Sequence, residues 1–362
     1  MNIVQFCPNC GTPVDTNNRF CGACGMNLTP KSVPLPPSLS SYTPPPPSLP
    51  SNYIPPPFPS PQKGDVMGNI IGAFAGLFAQ RPRLIDVSDV VYEKLPQPLV
   101  SQSWKLIVIA VVLFAGFYLL EFGEQAVSII DSNLMYFFST YAVAFLFLFW
   151  VYRSDKYERE PLRFIIALFA WGVFSGLLAA PLNIAFGPAF QSLFGNGALV
   201  APFVEEPLKA LGLYLLVRHK VWSKEFNSPL DGVIYGFASG LGFFAMENFQ
   251  YFLNFDASVL VMRSLLCWGH GVWVGTTGLW LAIAKVRRGR VVSWDLLPGL
   301  LVAITLHFLW NGWTGFLGEL GVVAMLAQGI HQLWYSRKMI KEAFRDDVLL
   351  GYGAGMAPVE NY

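Results

Sequence analysis

The chain has 362 residues, 54% of them hydrophobic and only 13% charged. A soluble globule needs more charge than that to cover its surface, so the composition excludes an ordinary soluble enzyme and points into a bilayer. The formal net charge of +1 decides nothing about nucleic acid; the spacing of the charges along the chain is what informs.

Four of the five cysteines fall within the first 24 residues. No secretory leader is expected, because this cluster begins almost at once. Cys7-Pro8-Asn9-Cys10-Gly11 and Cys21-Gly22-Ala23-Cys24-Gly25 form a C-x2-C-x10-C-x2-C array. Each pair can make a tight knuckle, and four thiolates close a tetrahedral structural zinc site with no open position. Residues 1–30 are therefore expected to be a zinc ribbon whose metal supplies most of its folding energy. Two disulfides are the competing arrangement; zinc thiolates favour a reducing compartment, which places this end in the cytoplasm. Arg19 and Lys31 are its basic residues, too few for nucleic acid, so a protein partner or regulator is expected. A tether follows at 31–63, with thirteen prolines between 33 and 63, among them Pro44 to Pro47. Such a run favours extended polyproline geometry and builds no core. Within a 64–104 connector, the apolar stretch 67–79 carries Gly68, Gly72 and Gly76 on one stripe. It is short for a span and reads as an interfacial or half-inserted helix.

Apolar segments then recur near 105–121, 133–152, 163–186, 198–217, 230–252, 260–284, 296–313 and 317–335, the last boundary falling around residues 312–318. The expected fold is an all-α polytopic membrane protein with about eight transmembrane helices, its core at 105–335 and a cytoplasmic tail at 336–362. Basic residues collect in alternate loops: Arg153, Lys156, Arg159 and Arg163; Arg218, Lys220 and Lys224; Lys285, Arg287, Arg288 and Arg290; and Arg337 to Arg345 in the tail. The opposite loops hold no lysine and, near their ends, only Arg263. Positive residues mark the cytoplasmic side, so both termini are expected there, in a multi-pass protein of the cell membrane.

Inside the apolar segments stand Glu205, Glu206, Glu247, His270 and His307. A charge at the bilayer centre costs from ~3 to above 10 kcal/mol, so such residues are expected to have a use. With the orientation above, all fall within a layer of ~10 Å in the outer half of the membrane. Glu205 and Lys209 are four apart and can form a supporting ion pair, while Glu206 points about 100° away. Asn311 lies one turn beyond His307. Gly236, Gly240 and Gly242 allow a neighbour close to α-helical backbone near Glu247, and Gly269 and Gly271 do the same for His270. The chemistry on offer is activation of water: a glutamate withdrawn from solvent is a better general base, and two histidines can ligate a metal or hold an oxyanion, with Asn311 a second donor. Either glutamate of the pair can be the base. Cys267, Ser239 and Ser264 read as packing residues, and Trp268, Trp273, Trp280 and Trp310 as interface anchors or core.

Together these residues resemble the PrsW family of intramembrane proteases, within the larger grouping that includes CAAX prenyl proteases and bacteriocin-processing proteins. The resemblance is carried by Val204-Glu205-Glu206-Pro207-Leu208-Lys209-Ala210, by Asp231-Gly232-Val233-Ile234-Tyr235-Gly236 leading through Phe243 to Glu247-Asn248, by His270 with its glycines, by His307-Phe308-Leu309-Trp310-Asn311, and by Asp155-Lys156-Tyr157-Glu158-Arg159-Glu160-Pro161. It covers about residues 105–335. It implies an endopeptidase that cuts in or near the transmembrane segment of a membrane-anchored substrate, an anti-sigma factor or similar regulator. Glu205 or Glu206 would be the base, and His307 with Asn311 would hold the oxyanion. Glu247 and His270 would position water or, with His307, bind a divalent core metal, zinc by preference. The grouping has histidine where this chain has Glu247. Competing functions are a non-proteolytic membrane scaffold and a proton-coupled transporter using the same Glu, His and Lys groups; a carrier built on inverted repeats would show internal symmetry, and none is visible.

Overall fold

In a computed structural model of the chain, the described residues are 5–6, 13–14, 66–78, 132–156, 159–254, 263 and 268–347. Two units separate at residue 45. In the first, strands β1 (Gln5–Phe6) and β2 (Pro13–Val14) pair antiparallel, Gln5 opposite Val14. Cys7, Cys10, Cys21 and Cys24, the tether, the 105–121 segment, Ser264 and Cys267 lie outside the described residues.

The second unit is all-α. Its helices are α1 (Val66–Phe78), α2 (Ser132–Tyr152), α3 (Leu162–Phe194), α4 (Ala201–Arg218), α5 (Pro229–Asn254), α6 (Gly269–Arg288), α7 (Leu297–Leu317) and α8 (Leu320–Asp347). Local chemistry sets several of these ends. Pro229 and Pro298 stand in first turns, where a missing N–H costs nothing. At α5 the Ser228 Oγ accepts from Asp231 N and the Asp231 carboxylate accepts from Ser228 N, a reciprocal capping box. Gly195 and Gly289 end α3 and α6 with positive φ, and Gly318, also at positive φ, separates α7 from α8.

The centre of the unit is the α5–α6 pair. Gly232, Gly236 and Gly240 recur every four residues on α5, facing the backbone of α6 at Gly278, Val274–Gly275 and His270–Gly271. A methyl group at any of them would overlap main-chain atoms of the partner, so the two backbones pack in direct contact. On another face of α5, Gly242 meets the Phe169 carbonyl of α3. These glycines admit neighbouring helices, and the Gly240 contact is with the backbone of His270 itself.

The expectation of about eight transmembrane helices is corrected. Eight α-helices form among the described residues, but two are long and apolar enough to cross a membrane: 162–194 and, with its preceding turn, 293–317. The reason is compositional. α4, α5 and α6 carry Glu205, Glu206, Lys209, Asp231, Glu247 and His270 together with interior glycines, and α8 turns Gln328, Gln332 and Ser336 inward. α1, with 13 residues, rises only about 20 Å. Residues 336–347, expected in the tail, continue α8, and Arg345, Asp346 and Asp347 are buried.

Candidate active site

α4, α5, α6 and α7 bring Glu205, Glu206, Lys209, Glu247, His270 and His307 into one network. All but Glu247 are nearly inaccessible, and Lys209 is completely so. Lys209 Nζ is the hub. It lies 2.6 Å from Glu206 Oε1, 3.0 Å from His270 Nδ1 and 3.8 Å from Glu205 Oε2. The lysine thus forms the expected ion pair with Glu205, four residues away, and a shorter, hydrogen-bonded one with Glu206, three away. The rings of Phe243 and Trp273 line its other side, 4.2 and 5.7 Å from the ammonium.

These contacts fix the state of both imidazoles. Lys209 donates to His270 Nδ1, so the ring proton is on Nε2, which lies 3.0 Å from Glu247 Oε2. His307 donates from Nδ1 to Glu206 Oε1 at 2.8 Å, leaving the Nε2 lone pair toward Asn311 Nδ2 at 3.4 Å and Glu205 Oε2 at 3.9 Å. Trp273 stacks on His307 with centroids 4.4 Å apart and planes at 19°, fixing its tilt. Asn311 also donates to the Ala198 carbonyl, and Asn196 Nδ2 donates back to the Asn311 carbonyl, so the turn before α4 is tied to α7 beside His307.

The two adjacent glutamates are not equivalent. Glu206 Oε1 is shared by a lysine and a histidine, which makes it a holding group. Glu205 Oε1 accepts from Asn183 Nδ2 at 2.9 Å, while Glu205 Oε2 is buried without a hydrogen-bond partner. That leaves one carboxylate oxygen free for chemistry beside a histidine lone pair.

Ligand atoms of Glu205, His270 and His307 lie within 4.8 Å of one another. One carboxylate and two imidazoles is a donor set that suits a catalytic divalent ion: the orphaned Glu205 oxygen and the His307 Nε2 lone pair fit the purpose directly, and His270 would serve through Nδ1 with Lys209 displaced from it. Glu247, expected among these ligands, is not part of that set. Its Oε2 is taken up by Arg263 at 2.6 Å and by His270, so it stands behind the histidine.

Three residues of the site were not singled out from the sequence for it. Asn183 is a polar amide set between Leu182 and Ile184 in an apolar helix, two positions after Pro181, and that setting was a usable signal. Arg263, noted only as an odd basic residue, bonds Glu247 and Asn248 and covers the Tyr251 ring at 3.6 Å. Trp273, read as anchor or core, braces His307. Ser239 donates to the Lys209 carbonyl, a packing role.

A second polar cluster sits at the other end of α5. Asp155, Glu160 and Asp231 bring carboxylate oxygens within 4.8 Å of each other, close enough to share a cation. Asp231 accepts from the Asn227 and Ser228 amides and from Ser228 Oγ, and Tyr235 Oη donates to Glu160. Asp347 of α8 reaches the Leu230 amide. Burial first, then the neighbouring Asp231, pushes the Glu160 carboxyl well above the usual range; burial, Asp231 and Asp155 do the same to Asp347.

A water-activating carboxylate–histidine site buried in a helical bundle defines a hydrolase that works away from bulk solvent. Residues 160–335 match the family described as PrsW family intramembrane metalloprotease, and residues 6–28 match a zinc-ribbon domain. The chain is 32% identical to Protease PrsW of Geobacillus kaustophilus over 160 residues, 41% of this chain and 68% of that protein. It is 29% identical to Protease PrsW of Clostridioides difficile over 44% of this chain and 71% of that one. A third relative, Protease PrsW of Halalkalibacterium halodurans, is 29% identical over 47% and 79% respectively. No solved structure matches the chain. The chain belongs to the PrsW family, and it is a membrane-embedded protease with two apolar helices of spanning length among its described residues.

Proposed function

We propose that the chain cuts a peptide bond in or beside the transmembrane segment of a membrane-anchored protein, with Glu205 as the proton-accepting group. The observation that carries this is the buried, unpartnered Glu205 Oε2 beside the His307 Nε2 lone pair. Water held there gives a proton to Glu205 as its oxygen bonds the substrate's carbonyl carbon. The carbonyl electrons pass to its oxygen, for which Asn311 Nδ2 and Lys209 Nζ are the nearby donors. When the carbon–nitrogen bond breaks, the proton moves from Glu205 to the leaving nitrogen. Glu206 orients His307 and Lys209 throughout, and Glu247 orients His270. A divalent ion, zinc by its donor set, would be held by Glu205, His270 and His307 and would supply Lewis acidity to the carbonyl; with Glu205 Oε2 so engaged, the open Glu206 Oε2 would take the proton in its place.

The substrate class that family resemblance implies is a membrane-anchored regulator of the anti-sigma kind. Cys7, Cys10, Cys21 and Cys24 would hold a structural zinc, and the ribbon or the proline-rich tether would meet a protein partner in the cytoplasm. Cytoplasmic termini are supported by the basic loops. The α2–α3, α4–α5 and α6–α7 connections carry the lysines and arginines, and Asp347 at the end of α8 lies among the first two.

The test is cleavage of a synthetic single-span substrate by the purified full-length protein in detergent. Glu205→Gln should lose at least about 1,000-fold in rate while keeping its helical content. Undiminished cutting by both Glu205→Gln and Glu206→Gln rejects glutamate chemistry. Metal analysis of the variant with all four ribbon cysteines changed to serine reads the core ion separately.

A further inference from the structure

α3 is a 33-residue helix interrupted by Pro181 and Pro188. Asn183 lies between them, next to Leu182, Ile184 and Phe186, which are exposed on the outside of the bundle. Its Nδ2 donates to Glu205 Oε1, and this turns the amide so that the nitrogen faces the glutamate and the oxygen faces away. Asn183 Oδ1 is buried and has no donor among the described residues. Pro188 has no N–H to give the Ile184 carbonyl, so one residue on from Asn183 a main-chain acceptor lacks its helical donor.

A substrate helix cannot be cut while its scissile bond is folded into its own ladder. Unwinding a turn releases N–H groups as well as carbonyls, and away from water each released group needs a partner. The Asn311 amide nitrogen on the α7 side of the site, which now bonds the Ala198 carbonyl, is a donor suited to a carbonyl. With the open oxygens of Glu205 and Glu206 reserved for the water and its proton, the acceptor left for a released N–H is Asn183 Oδ1 on α3.

We propose that Asn183 is a substrate-binding residue: its Oδ1 accepts a main-chain N–H of the unwound segment next to the scissile bond, while its Nδ2 holds Glu205. The ligand class is an extended peptide backbone entering past the outer half of α3. This rests on the protease function proposed above. One side chain thereby sets both the base and the register of the bond to be cut.

The experiment uses single-span substrates in which an ester replaces the amide at one position at a time flanking the cut, exchanging one N–H for oxygen. With the full-length wild-type protein, one position should lose about 10-fold in kcat/KM. With Asn183→Ala the overall rate falls, but that position should become no worse than its neighbours. A penalty that persists at the same position in Asn183→Ala overturns the proposal, as does the lack of any sensitive position with wild type. Asn183→Asp keeps an acceptor oxygen while losing the donor to Glu205. It should retain the positional penalty and serves where the alanine variant fails to fold. A wild-type protein that cuts no substrate removes the protease reading itself, and this binding role with it.

Discussion

Two buried polar clusters share helix α5, about 24 Å apart along its axis. One gathers around Glu205, Glu206, Lys209, His270 and His307; the other joins Asp155, Glu160, Asp231 and Asp347. At the Asp231 end the carboxylates spend their hydrogen bonds at home, on the Asn227 and Ser228 amides, the Ser228 and Tyr235 hydroxyls and the Leu230 amide. At the Glu205 end, Glu205 Oε2, Glu206 Oε2 and Asn183 Oδ1 have no hydrogen-bond partner. Satisfied polar groups lock helices together, whereas unsatisfied ones await something from outside the fold. Burial alone therefore does not mark a site; spare bonding capacity does.

The largest expected effect that separates the clusters comes from Lys209→Met. It strands Glu206 without its buried counter-charge, and should cost about 3–5 kcal/mol of stability together with all cleavage. Chemical denaturation in detergent reads the first and substrate turnover the second; a stable, active variant would dissolve the hub. Asp231→Ala removes the capping box of α5 and should cost about 1–2 kcal/mol with kcat unchanged, since nothing it touches meets the water-activating groups. A lowered kcat in a folded Asp231→Ala protein would mean that the two ends of α5 are coupled. The smallest effect is in pH. Glu160 is raised by burial, so the folded state holds a proton that the unfolded chain releases at ordinary carboxylate pH. Its contribution to stability is present at the acid end and fades as pH climbs through the raised value. With chelator present, the melting temperature should fall from about pH 5 to about pH 8 in wild type and fall less in Glu160→Gln. Identical slopes would show that Glu160 does not titrate in that range.

How much of this was legible beforehand differs between the site and the fold. Placing Glu205, Glu206, Glu247, His270, His307 and Asn311 at a common depth needed only helical rise and the direction of the basic loops, and the structure brings those residues into contact. Which carboxylate meets which histidine was not legible. Glu205–Lys209 spacing announced one ion pair, which forms, but not the shorter bond from Lys209 to Glu206 or its reach to His270, sixty-one positions away. Asn183, Arg263 and Trp273 escaped for the same reason, since a single polar or aromatic residue has no periodicity to announce its partner. The span count failed differently. Segment length counts residues that avoid charge, whereas α4, α5 and α6 are built to carry it.

The glycine contacts between α5 and α6 have a mechanical consequence. Where two backbones touch at Gly232, Gly236 and Gly240, neither helix can slide or roll without main-chain collision, so the pair moves as one rigid strut. His270 rides on that strut at a fixed height. Gly172 and Gly242 seat the first half of α3 on it, and Gly299 seats the start of α7; whatever gap must widen to let a foreign chain in has to open farther along, past Pro181 in α3.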